Sequence, residues 1–408
     1  MNQLAPPAPP QGCGPALHMP DPSRPLRQSI YERVRAAGAM SRAEVAKALE
    51  VSPASITAGA AELIGAGFLR EIDAPAREGA REGMRGRPPV ALGIRPEARR
   101  VAGIKLGDGH SSAALVDMGG AVLAEARLPS PVPPRSPRSV ADLAAALVDA
   151  LGGRADAVGI GLPGMIDHGS GRIAWSPVIE GRDVPLAALL SDRLGVPVFI
   201  DNDANAVTLA ELWFGAGRSL TDFAVVTVEN GLGMGLVIGN RLFRGGGGLG
   251  MELGHTKVHL DGALCRCGRR GCLEAYVADY ALLREAATAL AAPPAPDLLD
   301  RLHAEARAGH PAATGIYRRA GRYLALGLAN VAHLFDPARI ILSGDRMRYE
   351  TPWAEEVLRE MAAMTLPPGR APVPVEIHTW GGGVWARGAA ALALSEVTDR
   401  EMGAGWSG

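Results

Sequence analysis

The sequence predicts an α/β protein in which a winged helix-turn-helix head precedes two α/β lobes. Three observations predict it. Residues 26–64 carry apolar side chains at helical spacing, interrupted by two capped helix starts, and a basic hairpin follows. From Arg100 onward, short apolar strands alternate with alanine-rich helices. That texture restarts at Phe223 with its own glycine-rich turn, so two like halves are expected to form a hinged pair of lobes.

The composition permits this. With 408 residues, 47% of them hydrophobic, the chain has enough apolar material for two or three packed domains. It contains no run of about 18 uninterrupted apolar residues. Prolines within Met1 to Pro25 stand where a secretion signal would need an apolar helix. A cytoplasmic protein with reduced thiols and no membrane partner is therefore expected. The net charge of −1 is unevenly spread. Residues 1–100 hold 14 Lys and Arg against 10 Asp and Glu, a local balance of +4 that leaves −5 on the remainder. Double-stranded DNA, if bound, is expected at the amino-terminal part.

Residues 1–24 are proline-rich and aperiodic, and are expected to be a disordered tail in which Cys13 is idle. Residues 25–97 form the head. Leu26, Ile30 and Val34 predict a first helix ending at Gly38. Ser41 and Glu44 form a capping box for a second helix carrying Val45, Ala46 and Leu49. Ser52 followed by Pro53 starts a third, with Ile56, Ala60, Leu63 and Ile64 on one side. Phe68–Ile72 and Val90–Ile94 read as strands flanking an Arg- and Gly-rich loop, 74–89. In such a module the third helix enters the major groove, so Ser52, Ser55 and Thr57 are candidate DNA contacts. On the wing Arg77, Arg81, Arg85 and Arg87 approach phosphates or the minor groove, Arg85 and Arg87 being the favoured pair. The third helix offers no Arg, Asn or Gln for bidentate base reading, so discrimination would rest partly on the wing and on DNA shape. The alternative is a three-helix bundle used only for dimerisation.

Residues 98–408 carry the α/β pattern. Strands are expected over Val101–Leu106, Ser112–Asp117 and Ala121–Leu128, then a helix over Ala141–Leu151. Ala157–Gly161 runs into Leu162-Pro163-Gly164-Met165-Ile166-Asp167, and Val196–Asp201 into Asn202-Asp203-Ala204-Asn205-Ala206. The second half has strands at Phe223–Val228 and Leu236–Ile238 joined by a glycine turn over Glu229–Gly235. A helix over Tyr323–Phe335 and a strand over Ile340–Leu342 follow. Polar residues at strand ends are where such folds bind ligands.

The densest chemistry lies between Met251 and Glu274. His255, Cys265, Cys267 and Cys272 are four groups that can close a tetrahedral zinc shell. Three of the four cysteines fall within eight residues amid glycine and arginine, poor company for a core thiol and good company for thiolates on a cation. An odd number of clustered cysteines argues against a disulfide. Glu252 and Glu274 bracket the ligands, and a metal-rigidified turn would present them as acceptors for sugar hydroxyls.

In order, Gly161-Leu-Pro-Gly164, Asp201 to Ala206, Glu252-Leu-Gly-His255 and Cys265-x-Cys-Gly-x-x-Gly-Cys-x-Glu274 resemble the ROK family of sugar kinases and sugar-responsive repressors. The resemblance covers nearly everything from residue 100, and the head in front resembles the repressor branch, as in repressors of N-acetylglucosamine or xylose use. It implies a two-lobed actin-like ATPase fold, a sugar site lined by Asn202, Asp203, Glu252, His255 and Glu274, and zinc on His255, Cys265, Cys267 and Cys272. In kinase members the aspartate matching Asp203 is the base that deprotonates the sugar hydroxyl.

The departures concern the nucleotide. Kinase members carry Asp-x-Gly-Gly-Thr in the first glycine turn, where this chain has Lys105-Leu106-Gly107-Asp108-Gly109. The second turn opens Glu229-Asn230-Gly231 in place of Gly-Thr-Gly, and Val178 replaces a frequent asparagine. Two carboxylates facing phosphate sites oppose ATP binding, so ATP and magnesium are not expected as cofactors. The expected function is a DNA-binding regulator of carbohydrate metabolism, a homodimer or higher homo-oligomer, whose sugar effector binds without being phosphorylated. The alternatives are an ATP-dependent sugar kinase with a fused head, kept open by Asp203, and a degenerate fold kept for assembly.

Overall fold

The first helix, α1 (Leu26–Ala37), buries Ile30, Tyr31 and Val34 completely and ends at Gly38, whose φ of 80° suits a residue without a β-carbon. The structure is a computed structural model that describes residues 12–17, 19, 21, 23–73, 90–107, 109–130, 133–293, 295, 297–344, 353–366, 371–380 and 383–403. After β1 (Ala39–Met40), the capping box is made in both directions. Ser41 Oγ accepts from the Glu44 amide at 3.3 Å, and Glu44 Oε2 accepts from the Ser41 amide at 2.8 Å, opening α2 (Arg42–Leu49). Glu50, at φ 55°, turns the chain. Ser52 then caps α3 (Pro53–Gly65), which buries Ile56, Ala60 and Leu63. β2 (Leu69–Asp73) and β3 (Val90–Ile94) pair antiparallel, and with β1 they form a sheet in the order β1-β3-β2. Arg77, Arg81, Arg85 and Arg87 lie outside the described residues.

Residues 12–17 depart from the disordered tail expected over 1–24. Cys13 is buried, its amide donates to Arg35 O at 3.2 Å, and the Gly14 and Ala16 amides donate to Trp213 O and Arg218 O at 2.9 and 2.8 Å. The local sequence lacks periodicity because this segment is ordered by partners some 200 positions away.

By its contacts the chain forms two units, residues 1–221 with 385–408 and residues 222–384. The first contains the head and a five-stranded sheet. That sheet comprises β4 (Arg100–Lys105), β5 (His110–Asp117), β6 (Val122–Pro129), β7 (Ala157–Leu162) and, after the small pair β8 (Met165–Asp167) and β9 (Arg172–Trp175), β10 (Val198–Asn202). Helices α4 (Pro137–Ala150), α5 (Leu186–Leu194) and α6 (Asp203–Phe214) accompany it. The strand order is β10-β7-β4-β5-β6, with β4, β7 and β10 parallel and the other pairings antiparallel. Ile104, Val158, Ile160 and Ile200 meet α4 and α5 residues such as Val140, Leu147, Leu186 and Leu190 in one core.

The second unit repeats the layout. β11 (Phe223–Val228), β12 (Leu232–Ile238), β13 (Arg241–Phe243), β14 (Ile340–Gly344) and β15 (Val375–Thr379) stand in the order β13-β12-β11-β14-β15. Here too the first three strands run antiparallel and the last two continue parallel to the first. Its helices are the short α7 (Glu274–Val277), α8 (Asp279–Ala289), α9 (Leu298–Arg307), α10 (Pro311–Phe335) and α11 (Ala354–Met364). Two expectations need correction. The glycine turn spans only 229–231, because Leu232 and Met234 are buried and belong to β12, and the helix expected from Tyr323 begins at Pro311, capped by His310.

The chain then returns to the first unit in α12 (Val384–Met402). This helix lies directly on the sheet because glycines make room. A β-carbon on Gly103 of β4 would stand 2.0 Å from Ala386 O, one on Gly159 of β7 1.9 Å from Ala389 O, and one on Gly388 2.0 Å from Ala206 O of α6. In both units the parallel neighbours of the first strand bring the polar turns to one sheet end, where strand order reverses and ligands bind in such sheets.

Candidate functional site

In the first unit, β10 delivers Asp201-Asn202-Asp203 into the start of α6. Asp201 is buried, and its Oδ1 accepts from the Asn202 amide and from Asn205 Nδ2, both at 2.8 Å. Asn202 caps the helix through Oδ1 to the Ala204 amide at 2.8 Å and donates its Nδ2 to Gly164 O at 2.9 Å. The turn over 161–164 and the Asp-Asn-Asp turn are thus fixed to each other. Gly161 is needed there, since a β-carbon on it would meet Ala206 Cβ at 3.0 Å. Asp203 is partly exposed at the first position of α6, and its Oδ1 accepts from the Ala204 amide at 2.9 Å. A carboxylate so placed can accept a hydrogen bond, or a proton, from a hydroxyl.

The predicted metal ligands and the two glutamates that bracket them belong to the second unit. His255 Nδ1 lies 3.7 Å from Cys265 Sγ, the Cys267 and Cys272 sulfurs are 3.7 Å apart, and all four donor atoms lie within 4.8 Å of one another. Zinc bonds of about 2.0–2.3 Å imply tetrahedral edges of about 3.4–3.8 Å, whereas a disulfide would bring sulfurs to about 2.05 Å. The cluster could hold a metal ion, and its nitrogen and sulfur donors are those zinc takes. Lys257 Nζ donates to Cys272 Sγ at 2.7 Å, and this bond holds the ammonium above its ordinary pKa. Burial pushes the metal-free Cys265 thiol up to about 12, so a metal must displace its proton.

The sequence builds this cluster from tight turns. Gly268 and Gly271 have φ of 80° and 72°, and a β-carbon on Gly271 would stand 1.7 Å from His259 O. The Lys257 and Cys272 backbones bridge, and Leu273 N donates to Thr256 O at 2.9 Å, closing the loop. Tyr276 stacks on Tyr323 of α10 with ring centroids 4.1 Å apart. Gly327 leaves α10 open to Leu273, whose Cδ2 would lie 2.5 Å from a β-carbon there.

The two bracketing carboxylates are in different situations. Glu252 is exposed, and its Oε2 stands 3.9 Å from His255 Nε2, the nitrogen turned away from the cysteines. Glu274 is buried. Its Oε2 accepts from the Leu232 amide at 3.2 Å and its Oε1 from Tyr280 OH at 3.3 Å, tying the cysteine loop to the β11–β12 turn.

At the strand turns, Lys105 at the end of β4 places its Nζ 4.1 Å from the centroid of Trp385. In the second unit Glu229 Oε1 lies where a β-carbon on Gly344 would come within 2.7 Å, so this carboxylate occupies the end of β14. Asp108 is outside the described residues.

In the head, Ser52 Oγ accepts from the Ser55 amide at 3.2 Å and Thr57 Oγ1 donates to Pro53 O at 2.9 Å. Ser52 and Thr57 remain exposed and Ser55 partly so. Sequence reasoning gave no weight to His168, Lys257 or Tyr280. His168 directly follows the turn motif ending at Asp167, a position that marks it, while Lys257 and Tyr280 are ordinary in sequence and acquire their roles only by packing.

The ROK family model matches residues 101–396. The chain belongs to the ROK family. Its mixed α/β architecture is accordingly the actin-like ROK fold. Two kinds of relative match. The chain is 30% identical over 335 residues to the DNA-binding transcriptional dual regulator NagC of Escherichia coli K12, covering 78% of this chain and 79% of that protein. It is 35% identical over 258 residues to a glucokinase of Streptomyces coelicolor, covering 59% and 80%. Among solved structures, a ROK family transcriptional regulator, a homolog of the E. coli MLC protein, matches with a TM-score of 0.77 at 25% identity over 92% of this chain and 96% of its own. A ROK family glucokinase from Streptomyces griseus, in complex with glucose and AMPPNP, matches with a TM-score of 0.61 at 32% identity over 72% and 98%. The ROK match begins at Val101, beyond the head. No helix among the described residues is long and apolar enough to cross a membrane.

Proposed function

We propose that this chain is a transcriptional regulator of carbohydrate metabolism. Residues 25–97 act as a winged helix-turn-helix on a double-stranded DNA operator, and residues 98–408 bind a sugar effector without phosphorylating it. The observation that carries the reading is the folded head in front of the ROK match: three helices, two of them capped by serines, and a three-stranded sheet, in a stretch that a ROK regulator's structure also covers and a ROK glucokinase's length does not require. The start of α3, with Ser52, Ser55 and Thr57, approaches the groove while Arg85 and Arg87 approach the backbone. Asn202 and Asp203 recognise the sugar. Zinc on His255, Cys265, Cys267 and Cys272 is a scaffold. A homodimer presents two reading heads to a two-fold operator.

The absence of phosphoryl transfer in this reading rests on charge. Lys105, held on the Trp385 ring, stands where kinase members place a magnesium-binding aspartate, and the Glu229 carboxylate is set against Gly344. The kinase reading keeps one specific support, Asp203 at the start of α6. Duplexes enriched from a random pool, tested by gel shift against D-glucose, N-acetyl-D-glucosamine and D-xylose, with an ADP-release assay alongside, decide between them. Sugar-dependent DNA affinity without ADP release supports the regulator. Brisk ADP release that vanishes in Asp203→Ala overturns it.

A further inference from the structure

His168 stands between the turn that starts α6 and the end of α12. Its Nδ1 is 3.0 Å from Ile200 O, its Nε2 is 2.9 Å from Glu396 Oε1, and Asp201 Oδ2 lies 4.0 Å from Nδ1. The two ring nitrogens face two oxygens on different elements, a β10 carbonyl and an α12 carboxylate, so the imidazole bridges the strand that ends in the polar turn and the helix. Ile200 and Asp201 are the residues immediately before Asn202 and Asp203. Any displacement of that turn is therefore felt by the imidazole, and through it by Glu396.

From Glu396 the next two turns of α12 are tied to α1 of the head. Thr398 Oγ1 accepts from Arg35 Nη1 at 2.9 Å, Asp399 Oδ1 accepts from Gln28 Nε2 at 2.5 Å, and Met402 O accepts from Arg27 Nε at 3.1 Å. Gly403 O accepts from Arg27 as well. Arg35 is buried, with its guanidinium 4.1 Å from the ring centroid of Trp213. Trp213 lies at the far end of α6, the helix that begins at Asp203. Two helices thus run from beside the polar turn to one arginine of the head, and at Gly103 and Gly159 the backbone of α12 meets the sheet with no side chain in between.

We infer that His168 is a positioning residue that couples the Asn202–Asp203 turn to the head through Glu396, α12 and Arg35. The inference rests on the regulator reading above and specifies its route. A sugar that draws the turn toward itself changes the His168–Glu396 contact, and the ties of Thr398 and Asp399 pass the change to α1. For such coupling the sugar must favour one of two arrangements of these contacts.

The test uses the full chain, a duplex enriched from a random pool and the same three sugars as probes. In the wild type, one of them changes the DNA dissociation constant by about fivefold or more. In His168→Phe that ratio falls below about twofold, while the sugar affinity and the sugar-free DNA affinity each stay within about threefold of wild type. A merely structural role would lower both affinities along with the melting temperature and leave the ratio. Thr398→Val, far from the polar turn, is expected to lose the ratio too, which keeps the test decisive if His168→Phe fails to fold. His168→Gln, which can still bridge one of the two oxygens, recovers part of it. Full wild-type ratios in both His168→Phe and Thr398→Val overturn the inference alone. A wild type that binds none of these sugars or no DNA overturns the regulator reading and the inference with it.

Discussion

Replacing Gly159 by alanine tests how α12 is seated. The added methyl would stand 1.9 Å from Ala389 O and 2.9 Å from its carbonyl carbon, against an ordinary carbon–oxygen approach of about 3.3 Å. The helix must therefore retreat by more than about 1 Å, since the obstacle is backbone and no rotamer relieves it. Retreat would also loosen the matching contacts at Gly103 and Gly388, so the whole face from Ala386 to Ala390 is affected. Overpacking typically costs about 1–3 kcal/mol, and a rigid helix places this substitution at the upper end, about 3 kcal/mol. For a unit of this size that is roughly 6–12 °C in melting temperature. Urea unfolding of zinc-saturated wild type and Gly159→Ala, followed by far-UV circular dichroism and Trp fluorescence, measures it. A loss below about 1 kcal/mol with an unchanged slope would refute the direct seating of α12 on β7.

Three further outcomes are expected. Cys272→Ser removes a fully buried sulfur and takes zinc, by mass spectrometry of metal content, from about one per chain to near zero; chelation of the wild type lowers its melting temperature. Asn202→Ala loses the cap of α6 and the bond to Gly164 O, costing about 1 kcal/mol in stability, and weakens sugar binding by calorimetry by about tenfold or more. Cys13, whose thiol burial pushes up to about 11, resists iodoacetamide in the native chain at pH 8, where it is protonated, and reacts faster as pH rises toward 11; rapid native labelling at pH 8 would contradict its burial.

The starts of α2 and α3 were readable because each is announced locally, by Ser41 with Glu44 and by Ser52 with Pro53. The cysteine cluster was readable because its donors lie within eighteen residues, and their spacing alone brings them together. What escaped depends on long-range packing. The segment around Cys13 is ordered by Trp213 and Arg218, and neither residue leaves a mark on the sequence near position 13. The extent of β12 was missed because alternating glycines over 231–235 resemble a loop, although Leu232 and Met234 turn into a core. The bonds of Glu274 to the Leu232 amide and the Tyr280 hydroxyl escaped too, because that pairing is set by the β11–β12 hairpin. The glycines at 103 and 159 and the small residues of 386–393 were each visible, but their match is a property of the packed helix and sheet.

The return of α12 to the first sheet makes that unit discontinuous in the chain, with residues 222–384 inserted between its parts. On the ribosome, β4 and β7 wait for their covering helix until the entire insert has emerged, an interval on the order of ten seconds or more. During that time the glycine-lined groove and the head's α1 lack their partner. This stretch of synthesis is when the nascent protein most needs protection from aggregation, and slowing translation within the insert should lengthen its exposure.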